Sequence, residues 1–329
     1  MTDIEHRGAK QERPSNDFKQ TVRQYRLQTP EGTIPYGVGC AWVRSYADKR
    51  GLREGVAALQ GAYSSGARYF DTSEAYGESE QVVGEFVRTI PRQTIFLATK
   101  SRLPDLKPAE AAAHIRLQLE RSIRHLQTDY LDLFQLHDAA SCYEADGVWP
   151  EVLDVLTDAR KRGLIRYFGM AIRSHGMLEM AIRHGAYASI LTYGDFTPVN
   201  QSAGPLIRMA ADAEVGAVNG SPLGNAWLNG RDPRQRDPGR DSKQIRMQRE
   251  AIAFYDFCQS QGVPVLAAVL QYPLRNRDID MNLTGPASAA QWQESMEALR
   301  IKLPASFWTD WSSLGRHWAA MTKHTDGED

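Results

Sequence analysis

The segment from Ala67 to Tyr76 reads Ala-Arg-Tyr-Phe-Asp-Thr-Ser-Glu-Ala-Tyr, and Gly77-Glu78-Ser79-Glu80 follows it. Arg68 to Phe70 has the aromatic content of a short buried strand. Asp71 therefore comes at the carboxyl end of a strand. Tyr76 comes just before a helix, because a serine followed by an acid is typical of a helix start. The segment predicts an acid and a phenol within one strand-to-helix loop.

Strands and helices alternate along the rest of the chain. Predicted strands cover residues 34–41, 68–70, 94–99, 130–136, 165–170, 187–193, 215–219 and 279–284. The helices between them are predicted at 52–64, 80–88, 108–126, 148–161, 177–183, 205–213 and 244–261, with a further helical piece at 266–274. Such alternation indicates a parallel sheet with right-handed crossovers. Eight units favour an α/β fold of one closed (β/α)8 TIM barrel over an open doubly wound sheet.

The barrel is predicted to span residues 21–320, with extra helices. Residues 1–20 are polar and are predicted to form a mobile tail, and residues 321–329 form a second polar tail. A possible hairpin lies between Val22 and Gly32. The stretch from Gly220 to Ser242 is rich in Gly, Pro, Asp and Arg, which predicts a long loop over the barrel mouth after strand seven. A disordered linker is the alternative.

Composition narrows the classes of partner. The 329 residues carry 39 Lys and Arg against 40 Asp and Glu, a net charge of −1. This balance does not favour nucleic acid or an anionic membrane, so we expect a small-molecule substrate. The cysteines are three in number and far apart, which favours reduced thiols over a disulfide framework, and none has metal-ligand spacing. With no apolar run near the roughly 18 residues of a membrane span, we expect a cytoplasmic protein without a metal, and we make no prediction of its oligomeric state.

Reactive side chains come at three consecutive strand ends of the predicted barrel, where active sites of this fold lie. Asp71 follows the second strand, Lys100 ends the third, and His137 ends the fourth, with Tyr76 in the loop above them. A phenol has a pKa of about 10, and a nearby ammonium group favours its phenolate. An acid keeps such an ammonium charged, and an imidazole binds a carbonyl oxygen or relays a proton. The set suits proton transfer to or from an oxygen.

Four motifs resemble the aldo-keto reductase superfamily. They are Phe-Asp-Thr-Ser-Glu-Ala-Tyr-Gly-Glu-Ser-Glu at 70–80, Leu-Ala-Thr-Lys at 97–100, Asp-Tyr-Leu-Asp-Leu-Phe-Gln-Leu-His at 129–137 and Gly-Leu-Ile-Arg-Tyr-Phe-Gly at 163–169. The resemblance implies a barrel that binds NAD(P)(H) and passes a hydride between nicotinamide and a carbonyl or alcohol carbon. It implies four catalytic roles: Tyr76 as general acid and base, Lys100 as the cation that supports it, Asp71 as the partner of Lys100, and His137 as the residue that orients the substrate oxygen.

The cofactor positions depart from the commoner family pattern. Ala171 and Ile172 stand where many members have Ser-Asn, strand six lacks the usual Gln, and Gly220 replaces the aromatic that stacks on nicotinamide. A small residue before Ser221-Pro222-Leu223 is similar to the branch of L-galactose, L-fucose and D-threo-aldose dehydrogenases and pyridoxal dehydrogenase. The resemblance therefore implies a small aldehyde, ketone or aldose as substrate.

The segment from Gly285 to Ser295 resembles the family's pyrophosphate and adenosine region, which leads into a helix. NADP-preferring relatives usually carry Arg or Lys at the positions of Ala287 or Gln291, so NAD is favoured, with NADP as the alternative. The cofactor residues implied by the resemblance are Gly39, Cys40, Asp71, Thr192, Ser221, Leu223, Gly285, Ser288, Gln291 and Ser295. Trp42 and Trp227, on predicted loops, are candidates for the substrate pocket together with Tyr76 and His137.

Two other functions fit the same residues. The first is a non-enzymatic regulatory subunit that binds nicotinamide nucleotide on the same barrel, as the potassium-channel beta subunits do. The second is a barrel aldolase that uses Lys100 as a Schiff-base amine. The neighbouring Tyr76 and His137 favour hydride chemistry over the aldolase.

Overall fold

The structure is a computed structural model that describes residues 17–43, 49–103, 106–138, 143–144 and 147–314. The first described elements are a helix, a hairpin and the first barrel strand: α1 (Asp17–Gln24), β1 (Leu27–Thr29), β2 (Gly32–Ile34) and β3 (Tyr36–Gly39). The next elements alternate between helix and strand: α2 (Lys49–Ser64), β4 (Tyr69–Asp71), α3 (Ser79–Val87), β5 (Phe96–Arg102), α4 (Pro108–His125) and β6 (Leu131–His137).

A second short hairpin interrupts the alternation after β6, and the remaining units follow it. They are β7 (Tyr143–Glu144), β8 (Gly147–Val148), α5 (Pro150–Lys161), β9 (Ile165–Ala171), α6 (His175–His184), β10 (Ser189–Tyr193), α7 (Gly204–Asp212) and β11 (Gly216–Gly220). The chain then forms α8 (Ser242–Ser260), α9 (Val265–Gln271), β12 (Met281–Thr284), α10 (Ala289–Arg300) and α11 (Phe307–Ser313).

Eight parallel strands form a closed barrel in the order β3, β4, β5, β6, β9, β10, β11, β12. The barrel closes where β12 pairs with β3, with Leu283 opposite Gly37. The predicted (β/α)8 barrel is confirmed. Its strands differ from the predicted ranges by a few residues. The strand predicted at 34–41 covers only Tyr36–Gly39 and is followed by a 3₁₀ turn at Cys40–Trp42, and the strand predicted at 94–99 covers Phe96–Arg102.

Helix α1 covers the amino-terminal end of the barrel. Phe18 packs edge-on against the rings of Phe96 and Tyr167, at centroid distances of 6.0 and 5.1 Å. The Thr21 hydroxyl lies 2.9 Å from the Tyr167 hydroxyl. Val22 is buried with these rings, so α1 closes the end of the barrel at which the strands begin. The prediction of a mobile tail is therefore wrong for residues 17–20, because burial of Phe18 fixes this helix. The rest of both predicted tails, residues 1–16 and 321–329, lies outside the described residues.

The stretch from Gly220 to Ser242 is a packed loop rather than a linker. Trp227 and Leu228 lie in a core cluster with residues of α8, α9 and α11, and a 3₁₀ turn forms at Pro233–Gln235. Asp241 accepts hydrogen bonds from the backbone amides of Lys243 and Gln244, which caps α8 at the end of the loop. Burial of Trp227 and Leu228 anchors this glycine-rich and charged segment to the helices around it.

Candidate active site

Three neighbouring strands bring the predicted acid, ammonium and imidazole to the carboxyl end of the barrel. β4 ends at Asp71, β5 carries Lys100, and β6 ends at His137. The turn after β4 is fixed by the backbone amide of Thr72, which donates to Ala98, and by the Thr72 and Ser79 hydroxyls, 2.8 Å apart. This turn holds Tyr76 above the barrel.

Lys100 is the centre of the site. Its ammonium group donates to Asp71 Oδ1, to the Thr72 carbonyl at 2.9 Å and to the Tyr76 hydroxyl at 3.4 Å. The Lys100 side chain is only 1% exposed, and its contacts with Asp71 and Thr72 are buried, whereas its contact with the Tyr76 hydroxyl is partly buried. Burial opposes the charge of Lys100, but the negative charge of Asp71 and the phenol of Tyr76 outweigh it and raise the pKa of Lys100. The amine is therefore an ammonium ion at neutral pH.

Asp71 is also deeply buried, and each of its two carboxylate oxygens has a donor. Lys100 holds Oδ1, and Gln135 Nε2 donates to Oδ2 at 3.0 Å. Burial raises the pKa of Asp71, while Lys100 and Gln135 act in the opposite direction. Gln135 was not among the residues predicted for the site. The signal that could have found it is the two-residue spacing from His137, which places both side chains on the inner face of β6.

The imidazole of His137 lies edge-on to the Tyr76 ring, with the centroids 6.1 Å apart and the planes at 89°. Its Nδ1 lies 3.2 Å from Asp138 Oδ2 without hydrogen-bond geometry, so this contact is electrostatic. Burial, and after it the charges of Lys100 and Arg102, lower the pKa of His137 to about 4, although the charge of Asp138 acts in the opposite direction. At neutral pH the ring is therefore uncharged and can bind an oxygen.

Around these four residues the barrel rim carries further polar groups. Asp138, which has a positive φ of 44°, accepts a hydrogen bond from the Tyr193 hydroxyl at 3.1 Å. The Arg173 guanidinium lies 5.1 Å from the centroid of the Tyr193 ring. β10 and β11 pair Tyr193 with Gly220, so the aromatic side chain at this rim comes from β10. Tyr193 thus stands next to the position where the family's usual aromatic is replaced by glycine.

The predicted cofactor residues on β3 and β12 adjoin each other at the mouth. A Cβ at Gly285 would lie 3.0 Å from the Gly39 carbonyl oxygen and 3.1 Å from the Trp42 ring, so glycine is needed for this approach. The Cys40 side chain is buried, and its carbonyl accepts a hydrogen bond from Ser79 at 2.7 Å. Gly39 and Gly285 lie next to each other at the mouth and form a glycine wall beside the Trp42 ring. Cys40 has no side-chain atom to offer a ligand.

The cofactor residues predicted on β10 and in the loop after β11 differ in their surroundings. Thr192 is buried and donates to Asp195 at 3.2 Å, so its hydroxyl is engaged within the protein. Ser221 has a positive φ of 50°, and its carbonyl accepts from Gly224. Leu223 is half-buried and packs against the core. The structure therefore places Ser221 in a strained turn after β11, packs Leu223 against the core, and uses the Thr192 hydroxyl to bind Asp195.

The last predicted group forms the amino terminus of α10. Ser288 accepts from the Gln291 amide, the Gln291 side chain accepts from the Ala287 amide at 2.8 Å, and Ser295 donates to the Gln291 carbonyl at 2.9 Å. These side chains stabilise the helix end. The first amides of a helix, here those of Ala289 and Ala290, have no partner within the helix and can hold an anion. Together with the glycine wall, this donor set fits a nicotinamide dinucleotide.

The two tryptophans proposed for the substrate pocket differ in position. Trp42 follows β3 at the mouth and is 56% exposed. Trp227 is 2% exposed, its Nε1 donates to Gln244 at 2.9 Å, and Arg236 covers its ring at 4.1 Å. The structure therefore places Trp42 where a substrate can reach it and packs Trp227 inside the long loop, because the loop needs an apolar centre.

Among the described residues, no helix has the length and apolarity to cross a bilayer. Cys40 and Cys258 are free and buried, and Cys142 lies outside the described ranges.

Comparison with known proteins identifies the family. The sequence pattern of the Aldo/keto reductase family matches residues 46–316, most of the chain. This chain belongs to the aldo/keto reductase family. Among similar proteins, D-threo-aldose 1-dehydrogenase of Pseudomonas sp is 24% identical over 285 residues, covering 78% of this chain and 86% of that protein. L-Galactose dehydrogenase of Arabidopsis thaliana is 25% identical over 253 residues, covering 75% and 78%.

Solved structures share the fold. The holo form of an aldo-keto reductase from Bacillus halodurans has a TM-score of 0.71 and 21% identity, covering 91% of this chain and 98% of that chain. An aldo/keto reductase from Klebsiella pneumoniae, in complex with NADP and acetate, has a TM-score of 0.66 and 19% identity, covering 88% and 95%. The protein belongs to the aldo/keto reductase family, and its relatives include dehydrogenases. It is therefore an NAD(P)-dependent oxidoreductase.

Proposed function

We propose that this aldo/keto reductase transfers a hydride between nicotinamide and the carbonyl or alcohol carbon of a small aldehyde, ketone or aldose, with Tyr76 as general acid and base. The observation that supports this most strongly is the buried contact of Lys100 with Asp71, together with its partly buried contact with the Tyr76 hydroxyl. An aldose is the favoured substrate, because the relatives with similar sequences include two sugar dehydrogenases.

Each residue has one task in the proposed reaction. When bound, NAD(P)(H) supplies or accepts the hydride. In reduction Tyr76 gives its hydroxyl proton to the carbonyl oxygen as the carbon gains the hydride, and in oxidation the phenolate takes that proton back. Lys100, kept charged by Asp71, stabilises the phenolate. Neutral His137 donates a hydrogen bond to the substrate oxygen and orients the carbonyl carbon.

Cofactor preference follows from the start of α10. Ala287 and Gln291 are exposed and uncharged, and the Gln291 side chain already caps the Ala287 amide. No cation stands at either position to pair with a 2′-phosphate, so NAD is the proposed cofactor. Gly39, Gly285, Ser221, Leu223 and the α10 amides would hold it at the mouth.

The test is the absorbance of reduced nicotinamide with purified protein. One panel combines aldoses with NAD or NADP, and a second combines aldehydes and ketones with the reduced forms. We expect NAD reduction that depends on an aldose. Silence across both panels, with tight nucleotide binding measured on the same sample, would contradict the proposal and favour a regulatory nucleotide-binding subunit. Trapping of a carbonyl substrate on Lys100 by borohydride would favour an aldolase instead.

A further inference from the structure

Gln135 occupies an unusual position for an amide. It lies on β6 two residues before His137, on the inner face of the barrel, and it is fully buried. The strand register places it directly opposite Lys100 on β5. A buried amide costs free energy unless its polar atoms are bonded, so its presence here requires a partner.

The partner is the carboxylate of Asp71. Gln135 Nε2 donates to Oδ2 at 3.0 Å, while Lys100 donates to Oδ1. The opposite amide orientation would place Oε1 against a carboxylate oxygen, so the charge of Asp71 fixes the amide as donor. Within the described part of the chain Oε1 has no hydrogen-bond partner. The contact with Asp71 is therefore the amide's hydrogen bond.

We propose that Gln135 is a positioning residue, which keeps Asp71 ionised and aimed at Lys100. With both oxygens held, the carboxylate cannot rotate away from the ammonium group, and the hydrogen bond from Gln135 opposes the rise in the pKa of Asp71 that burial causes. The inference rests on the proposed function, because the Asp71–Lys100 pair matters to catalysis through the phenol of Tyr76.

The surroundings leave Asp71 few other sources of support. Five titratable groups face the carboxylate or the ammonium group that it holds: Cys40, Tyr69, Tyr76, Lys100 and His137. Burial and the charge of Asp71 raise the pKa values of Cys40 and Tyr69, so both are neutral. His137 is neutral above its pKa of about 4. Lys100 is thus the cation of this group, and Gln135 is the neutral donor that shares the carboxylate.

Two substitutions distinguish the effect of losing the hydrogen-bond donor from the effect of changing the volume of the side chain. Gln135→Leu fills similar space but cannot donate, and Gln135→Glu has the same shape but donates only when protonated. In the Glu variant two buried carboxyl groups would lie side by side. Repulsion between their negative charges would raise the pKa at which the second of the two ionises. Gln271→Leu is the matched control, because Gln271 donates to the carbonyls of Ala298 and Ile301 on the outer side of the barrel.

The first measurement needs no substrate. The melting temperature of each variant is compared with the wild type from pH 5 to pH 8. A group whose pKa is higher in the folded than in the unfolded protein stabilises the fold at low pH. This stabilisation is lost as the pH rises through the pKa of the folded protein. We expect the melting temperature of Gln135→Glu to fall further below that of the wild type as pH rises. The difference between Gln271→Leu and the wild type should stay constant. A deficit independent of pH would overturn the proposal, because the new carboxyl group would then not face Asp71.

The second measurement is kcat and KM across the same pH range. We expect Gln135→Leu to lower kcat by about 10- to 100-fold with a small change in KM, and Gln135→Glu to recover activity relative to wild type as pH falls. Wild-type kcat in Gln135→Leu, or a constant fraction of wild-type kcat in Gln135→Glu, would refute the inference. Tyr76→Phe in the same assay tests the function separately, since full turnover in that variant would contradict the proposed function itself.

Discussion

The residue that holds this site together is Lys100. A buried ammonium group without partners would lose its proton, but here the Asp71 carboxylate, the Thr72 carbonyl and the Tyr76 hydroxyl all accept from it. The same burial that strengthens these contacts keeps His137 uncharged. One low-dielectric pocket therefore holds a charged amine and a neutral imidazole side by side, which is the pair of states that the proposed reaction needs.

The lowered pKa of His137 makes a prediction about stability. The unfolded imidazole gains a proton as pH falls through about 6.5, whereas the folded one resists it until about pH 4, so folding loses free energy across this interval. His137→Gln removes the titration and should make the free energy of unfolding less dependent on pH. We expect the wild type to lose roughly 2 kcal/mol more than the variant between pH 7 and pH 4.5 in urea unfolding. Equal losses would mean that His137 titrates normally.

The side chains that we propose as catalytic could be picked out of the sequence because charged and aromatic residues at strand ends are conspicuous among apolar ones. Gln135 was not predicted, because an uncharged amide inside a strand carries no such signal and its partner lies 64 residues away in sequence. Trp227 is a candidate for the substrate pocket in the sequence because it is an aromatic residue on the long loop predicted after strand seven. In the structure Trp227 is buried and contacts Gln244 and Arg236. These contacts could not be predicted from the neighbouring sequence.

At the scale of elements, α1 is the part of the fold that sequence patterns missed. Its segment is polar apart from Phe18 and Val22, so its stability comes from tertiary contacts at the barrel floor. The strands were easier to predict because long apolar runs alternate with helices. Their exact ends were harder, because pairing with neighbours decides where a strand stops.

Gly216 at the start of β11 tests the role of α1. A Cβ at this position would overlap the Phe18 ring, so Gly216→Ala should displace the helix and lower the free energy of unfolding by about 1–3 kcal/mol. Gly176→Ala is the control, because this glycine is exposed in α6 and a Cβ there meets only the Ser174 hydroxyl, at 4.0 Å; we expect a neutral or slightly stabilising effect. Chemical denaturation measures both. Equal free energies of unfolding for the two variants would show that α1 does not depend on the space that Gly216 leaves for the Phe18 ring.

At the scale of the whole molecule, the closed barrel collects the carboxyl ends of eight strands at one mouth. Asp71, Lys100 and His137, which we propose as catalytic, lie on β4, β5 and β6. Gly285 and α10 follow β12, and closure through the β12–β3 pair makes these regions neighbours. The barrel could be predicted from the number and order of its units. The details of the mouth could not, because they depend on loops whose packing is tertiary.

This arrangement predicts how the cofactor preference can be changed. Ala287 is exposed before α10, so Ala287→Arg adds a cation without removing a helix cap. We expect the KM for NADP to fall by about tenfold through pairing with the 2′-phosphate, with little change in the KM for NAD. Initial rates with both nucleotides measure this. A large preference of the wild type for NADP would refute the proposed choice of NAD.

The most direct test of the account is Tyr76→Phe, because it removes one hydroxyl group and leaves the ring in place. Turnover is measured from the absorbance of reduced nicotinamide, and the nucleotide Kd is measured separately by quenching of protein fluorescence. We predict a loss of kcat of about 10²- to 10⁴-fold with a nearly unchanged Kd, since the proton donor is lost but the pocket is not. Turnover close to the wild type, or a parallel loss of nucleotide affinity, would contradict the role assigned to Tyr76.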